Sequence, residues 1–124
     1  MIFKNIKDVN LPGLYILVYK DGCKIGMSKN VGKRMGIYTK NWCKQPENVY
    51  FFYTKNPKKF EKTILTALKA QQEMGLEILK NCVWNGEYIK NLPIHHVVSE
   101  INAILNKSDI FNMSIKFNKG FAYE

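Results

Sequence analysis

At 124 residues the chain is sized for one domain, since two would each be too small to bury a useful core. Its 46% hydrophobic and 13% aromatic content exclude wholesale disorder, and no apolar run approaches the roughly 20 residues needed to cross a bilayer. Nineteen basic against ten acidic residues give a formal charge of +9, which favours a polyanionic partner because each neutralised phosphate releases condensed counterions.

In chain order, Met1 to Asn10 mixes charged and apolar residues and lacks the apolar centre of a secretory leader. Leu14 to Tyr19 follows Pro12-Gly13 as a continuous β-prone run, ends at the turn signal Asp21-Gly22, and is followed by Cys23 to Met27. A two-residue Asp-Gly connection predicts that these two strands pair as an antiparallel hairpin. A helix comes next, with Ser28 or Asn30 as N-cap and Val31, Met35 and Tyr38 on one face. Gly32 and Gly36 weaken it, as glycines do where a partner approaches closely.

Asn48 to Thr54 reads as a third strand beside the hairpin. Of Tyr50, Phe51, Phe52 and Tyr53, alternation sends two to the core, and the other two either stack on exposed bases or pack under a helix. Asn56-Pro57 predicts an Asx cap and a first-position proline for a helix buried through Phe60, Ile64, Ala67 and Leu68. Gly75 to Asn91 is ambiguous. Pro93 opens a further helix with Val97, Val98, Ile101, Ile104 and Leu105 inward, and alternation of Phe111, Met113, Ile115 and Phe117 predicts a terminal strand. The expected class is α+β: one domain over residues 1–124, a small and mostly antiparallel sheet flanked by helices.

Three widely spaced cysteines, Cys23, Cys43 and Cys82, give no disulfide framework and point to a reducing, intracellular compartment, cytoplasmic or nuclear. With His95 and His96 they fit no zinc-finger or ribbon spacing. Arg34 is the sole arginine among nineteen basic residues. A planar guanidinium clamps two phosphate oxygens at once, which an ammonium cannot do, although a solvated helix position is the plainer role.

Four features fall in order: Gly13-Leu14-Tyr15, Lys24-Ile25-Gly26, Arg34, and Glu61 within Phe60-Glu61-Lys62-Thr63-Ile64-Leu65. With Gly86-Glu87-Tyr88-Ile89, the set over residues 13–89 resembles the GIY-YIG nuclease superfamily, in particular its viral and phage branch, whose second motif begins with lysine. The resemblance implies Mg²⁺- or Mn²⁺-dependent hydrolysis of DNA phosphodiester bonds. Glu61 would hold the metal, Arg34 would offset charge on the scissile phosphate, and Tyr15 would orient the base or attacking water. Tyr38 would stand near the nucleophile.

Lys24 occupies the position of a tyrosine in the best-known nucleases, and acts either as a neutral general base or as a phosphate contact. Leu65 stands where that branch often carries histidine. A catalytically silent member that binds nucleic acid is therefore the alternative, and a protein-interaction module is a third class. Lys29, Lys33, Lys58, Lys59 and Lys62 are the candidate nucleic-acid contacts, with Lys55 in the same cluster, each otherwise an ordinary solvated charge. Tyr15, as a strand aromatic, and Glu61, in the first turns of a helix, likewise have plain structural roles.

Overall fold

The computed structural model describes residues 6–41, 46–108 and 114–118, with side chains for 6–36 and 46–105. Trp42, Cys43, Phe111 and Met113, and the side chains of Tyr38, Ile115 and Phe117, lie outside the described residues.

The apolar run after Pro12 forms β1 (Gly13–Tyr19), which pairs antiparallel with β2 (Gly22–Ser28) as its composition predicts. The hairpin register sets Tyr19 against Gly22, so Lys20 and Asp21 make the two-residue loop, one position earlier than the Asp-Gly signal suggests. Gly22 is needed for space instead: a Cβ there would stand 2.5 Å from the Ile89 carbonyl oxygen and 2.8 Å from the Tyr88 hydroxyl.

β3 (Asn48–Tyr53) lines the other edge of β1. The stretch 75–91, ambiguous in sequence, contains a short 3-10 turn and the hairpin β4 (Val83–Asn85) and β5 (Tyr88–Lys90). β5 docks on β2, and β6 (Ser114–Asn118) on β3. All neighbours are antiparallel in a six-stranded sheet ordered β4-β5-β2-β1-β3-β6, an α+β fold.

Three helices complete the chain: α1 (Val31–Asn41), α2 (Pro57–Glu73) and α3 (Ile94–Ser108). Strand alternation directs Leu14, Ile16, Cys23, Ile25, Phe52 and Ile89 to one side of the sheet, where they meet Phe60, Ile64 and Leu68 of α2 and Val97, Ile101 and Leu105 of α3. The opposite side joins Tyr15, Leu17, Val49 and Phe51 to Val31 and Met35 of α1 and to Ile6 and Val9 at the 3-10 turn Ile6–Asp8. Each fully buried aliphatic or aromatic side chain contributes about 1.5–3 kcal/mol. Both sheet faces are thus covered. Tyr50 and Tyr53 pack half-buried at the margins of these two clusters, on opposite sides of the sheet.

Helix starts follow local chemistry with one exception. Asn30 caps α1 by accepting the Lys33 N–H on Oδ1 at 3.0 Å. Asn56 precedes α2 at the expected place, but its side chain makes no cap bond. Its backbone, at φ −124° and ψ 63°, departs from the extended geometry a cap requires, and its N–H donates to the Thr54 hydroxyl at 3.1 Å.

Gly26 faces Tyr15 across the hairpin, and a Cβ there would land on the tyrosine ring. Gly26→Ala is expected to destabilise the fold by about 1–3 kcal/mol in chemical denaturation. Gly36→Ala, whose Cβ would meet nothing within 4 Å, should be stabilising by about 0.5–1 kcal/mol. Equal effects would overturn this account of the hairpin.

Candidate active site

The side of β2 that faces α1 carries Gly22, Lys24, Gly26 and Ser28, none of them large and apolar. Neighbouring β1 and β3 fill the same side with Tyr15, Leu17, Val49 and Phe51. Tyr15 lies against Gly26, and the Tyr88 hydroxyl approaches Gly22, so Lys24 rises between two tyrosines in the space that the glycines leave. Tyr15 itself is buried, 1% exposed, and takes a core position with its hydroxyl end at Gly26.

Lys24 is 25% exposed, and its Nζ lies 3.6 Å from Glu87 Oε2. Glu87 is held there by its backbone. It is the second residue of the two-residue turn joining β4 and β5, which Gly86 enters at φ +64°. Its carbonyl accepts the Ile25 N–H at 3.2 Å, extending the β2–β5 pairing by one bond. Tyr88, paired with Lys24, donates its hydroxyl to Asp21 Oδ1. Desolvation and then the Asp21 carboxylate push the Tyr88 phenol up to about 12, so it stays a donor at neutral pH.

β5 ends its pairing at Lys24, and beyond the Ile25 bond no strand continues along that edge of β2 among the described residues. Around this open edge the two sides of the sheet meet. Glu61 stands half-buried on α2 beside Phe60, whose ring seals the opposite side. Its carboxyl is pushed above the ordinary carboxylate range, first by burial and then by the negative charge of Glu87, while the Arg34 guanidinium opposes both. That mutual influence, together with the Lys24–Glu87 pair, gathers residues of α1, β2, the β4–β5 turn and α2 into one electrostatic unit. Arg34 is exposed on α1, as a group meeting an incoming anion must be.

Beside this unit opens a groove of about 750 Å³ between the ends of β2 and the start of α2. It is lined by Lys29, Lys55, Lys58, Lys59 and Lys62, with Pro12, Met27 and Pro57 among its walls. Four of the five lysines singled out in sequence thus share one surface. Lys33 lies apart, exposed on α1. The start of α1 offers no competing anion site, because Val31 and Gly32 donate their N–H groups to the Leu11 and Val9 carbonyls at 3.0 and 2.7 Å.

Among the described residues no three His, Cys, Asp or Glu side chains form a ready-made metal cage. Glu61 and Glu87 supply carboxylate oxygens only, a donor set suited to a hard cation that retains most of its water. Burial pushes the Cys23 thiol up to about 12, with Cys82 adding to it, and burial also raises Cys82. Both are core thiols. His96 sits on α3, its Nε2 2.7 Å from Gln71 Oε1.

Sequence reasoning quoted Glu87 without giving it a role.

The mutual influence of these charges gives a direct test. Glu87→Gln is expected to lower the titration midpoint of the Glu61 carboxyl, and Arg34→Gln to raise it, read by carbon NMR of the side chain. No movement in either variant would mean that the groups do not share a site. Because the raised folded-state value destabilises the ionised form, the stability linked to Glu61 is complete below the ordinary carboxyl value of about 4.3 and is lost as pH rises through the folded value. Glu61→Gln should therefore raise stability at neutral pH and leave it unchanged well below pH ~4. Denaturation curves at the two pH values read this difference.

No curated protein and no solved structure matches the chain. Residues 12–108, running from just before β1 to the end of α3, match the T5orf172 domain. The match holds Lys24, Arg34, Glu61 and Glu87 together with every strand and helix that positions them, and the chain belongs to the T5orf172 domain family.

Proposed function

We propose that the chain is a metal-dependent DNA endonuclease of the GIY-YIG type, hydrolysing phosphodiester bonds at the open edge of β2. The observation that supports this reading is the Lys24–Glu87 ion pair, with Glu87 and Arg34 both acting on the half-buried Glu61, beside a groove lined with five lysines. A half-buried carboxyl perturbed by burial and by specific charge partners marks a candidate site, and hydrolysis of an anionic ester requires cations and a hard-metal site side by side.

On this reading Arg34 clamps the scissile phosphate through its planar fork. Lys24, ion-paired with Glu87, makes a second phosphate contact from the floor of the site. Glu61, with Glu87 near it, would hold Mg²⁺ or Mn²⁺, which when bound supplies Lewis-acid stabilisation of the departing oxygen. Tyr15 supports Gly26 and the strand carrying Lys24, and its role is positional. Tyr38 follows Arg34 by one helical turn and is the remaining candidate beside the nucleophile. Lys29, Lys58, Lys59 and Lys62 track the flanking backbone, and Lys33 extends the basic surface along α1.

One observation favours the alternative of a catalytically silent binder. Lys24, at the position of the tyrosine of the best-known nucleases, has Glu87 as its counter-charge, an arrangement that also serves a site that only grips phosphate.

Plasmid DNA incubated with the purified chain and Mg²⁺ or Mn²⁺ should be cut. Glu61→Ala and Arg34→Ala should each lower the rate by about 10²-fold or more, with folding unchanged by circular dichroism. Cutting by all three at one rate would sink the site. No cutting by any, with salt-dependent binding retained, would leave the silent binder.

Binding itself gives a second prediction. The slope of log affinity against log salt should be steep for duplex DNA and fall by about 0.9 for each phosphate contact removed, so Lys58→Gln with Lys62→Gln should flatten it by about 2. A slope near zero in the unaltered chain would point to a protein-interaction module instead.

A further inference from the structure

We propose that the lysine-rimmed groove is a pocket for one unpaired nucleotide, so that frayed, bulged or single-stranded segments are preferred over uninterrupted duplex. This rests on the nucleic-acid reading above and specifies its substrate.

The groove is concave, at about 750 Å³ within the size range of small-molecule sites, and its chemistry is divided. Lys29 comes from the end of β2, whereas Lys58, Lys59 and Lys62 come from α2. Between them lie Pro12, Met27 and Pro57, which carry no charge and no side-chain hydrogen-bond donor. A track for phosphates alone gains nothing from such walls, because a phosphodiester stays hydrated and meets cations that project into solvent. An apolar small molecule alone gains nothing from the lysines. A nucleotide within a strand matches both, with the flat base on the aliphatic walls and the phosphates on either side meeting ammonium groups. The Met27 thioether is soft and adaptable, and sulfur contacts with aromatic rings are favourable.

None of the residues lining the groove is aromatic, and the one side-chain amide among them, that of Asn56, is exposed to solvent rather than fixed in the wall. Discrimination among bases is therefore expected to be weak. Discrimination between paired and unpaired bases should be strong, since a paired base must first leave its stack to reach the walls. The position of the groove adds a consequence for chemistry. Lys62 follows Glu61 on α2, so a nucleotide seated here lies on the side of the sheet from which Glu61 reaches the site.

The test is fluorescence anisotropy without divalent metal, using the intact chain, a blunt duplex and the same duplex carrying one unpaired thymidine. The bulged duplex should bind about tenfold more tightly. Met27→Ser should reduce that ratio toward one while keeping the salt slope on blunt duplex, and Met27→Leu, which preserves an apolar wall and controls for folding, should retain it. Equal affinity for the two probes, or an undiminished preference in Met27→Ser, would overturn the pocket and leave the nucleic-acid reading standing. Absence of salt-dependent affinity for either probe would overturn both.

Discussion

Lys24 projects from a strand one removed from Val49 and Phe51, onto a side of the sheet that those residues, Tyr15 and Leu17 fill with apolar groups. A charge in that position would be costly if the helical layer closed over it, because an ion removed from water requires a partner and hydrogen bonds. The rest of the site can be understood as the way this cost is avoided. Glycines on either side of Lys24 keep the strand surface low, Tyr15 and Tyr88 occupy the vacated space, and the β4–β5 turn brings Glu87 to the ammonium. On that side of β2 Gly22, Gly26 and Ser28 are buried and Lys24 alone is partly exposed, so the strand is reached from solvent through the lysine.

Charge balance at this opening differs from that of the molecule. The chain as a whole carries +9, yet the edge of β2 brings two carboxylates together with two cations. Burial and Glu87 both disfavour the ionised form of Glu61, and Arg34 favours it. A divalent cation would act in the same sense as Arg34, favouring the carboxylate. The lysines beside it act at longer range. They raise the local concentration of a polyanion but, being exposed, contribute little to folding.

The central hairpin and the main helices could be read in the chain because their signals are local: a continuous β-prone run, a helical stripe ending in Leu68, a proline at the first position of α2. The departures have distant causes. Asp21-Gly22 looks like the turn itself, but Gly22 is required by Tyr88 and Ile89, more than sixty residues away in sequence. Asn56 looks like a cap, but Thr54 sets the backbone so that its side chain is not used. β4 and β5 span three residues each, too short for any periodicity, and they form because β2 offers an edge to them. For the same reason the placement of Glu87 was hidden: it depends on the left-handed Gly86 and on one bond from Ile25. Lys24, Arg34 and Glu61 could be picked out only as an ordered set, since none is distinctive alone.

The distribution of cations follows from what each position must do. Lysines lining the groove need only supply charge along a hydrated backbone, and a flexible ammonium suffices at each of them. Arg34 is different in kind: its guanidinium acts on Glu61 and it stands exposed on α1. A fork that can hold two oxygens of one phosphate fixes its orientation as well as its charge, and orientation is what an in-line displacement requires. The closed start of α1 strengthens this argument. With its first amides already bonded to the Leu11 and Val9 carbonyls, that helix end offers no free donors to an anion, and on the proposed reading a phosphate would meet α1 through the Arg34 side chain instead.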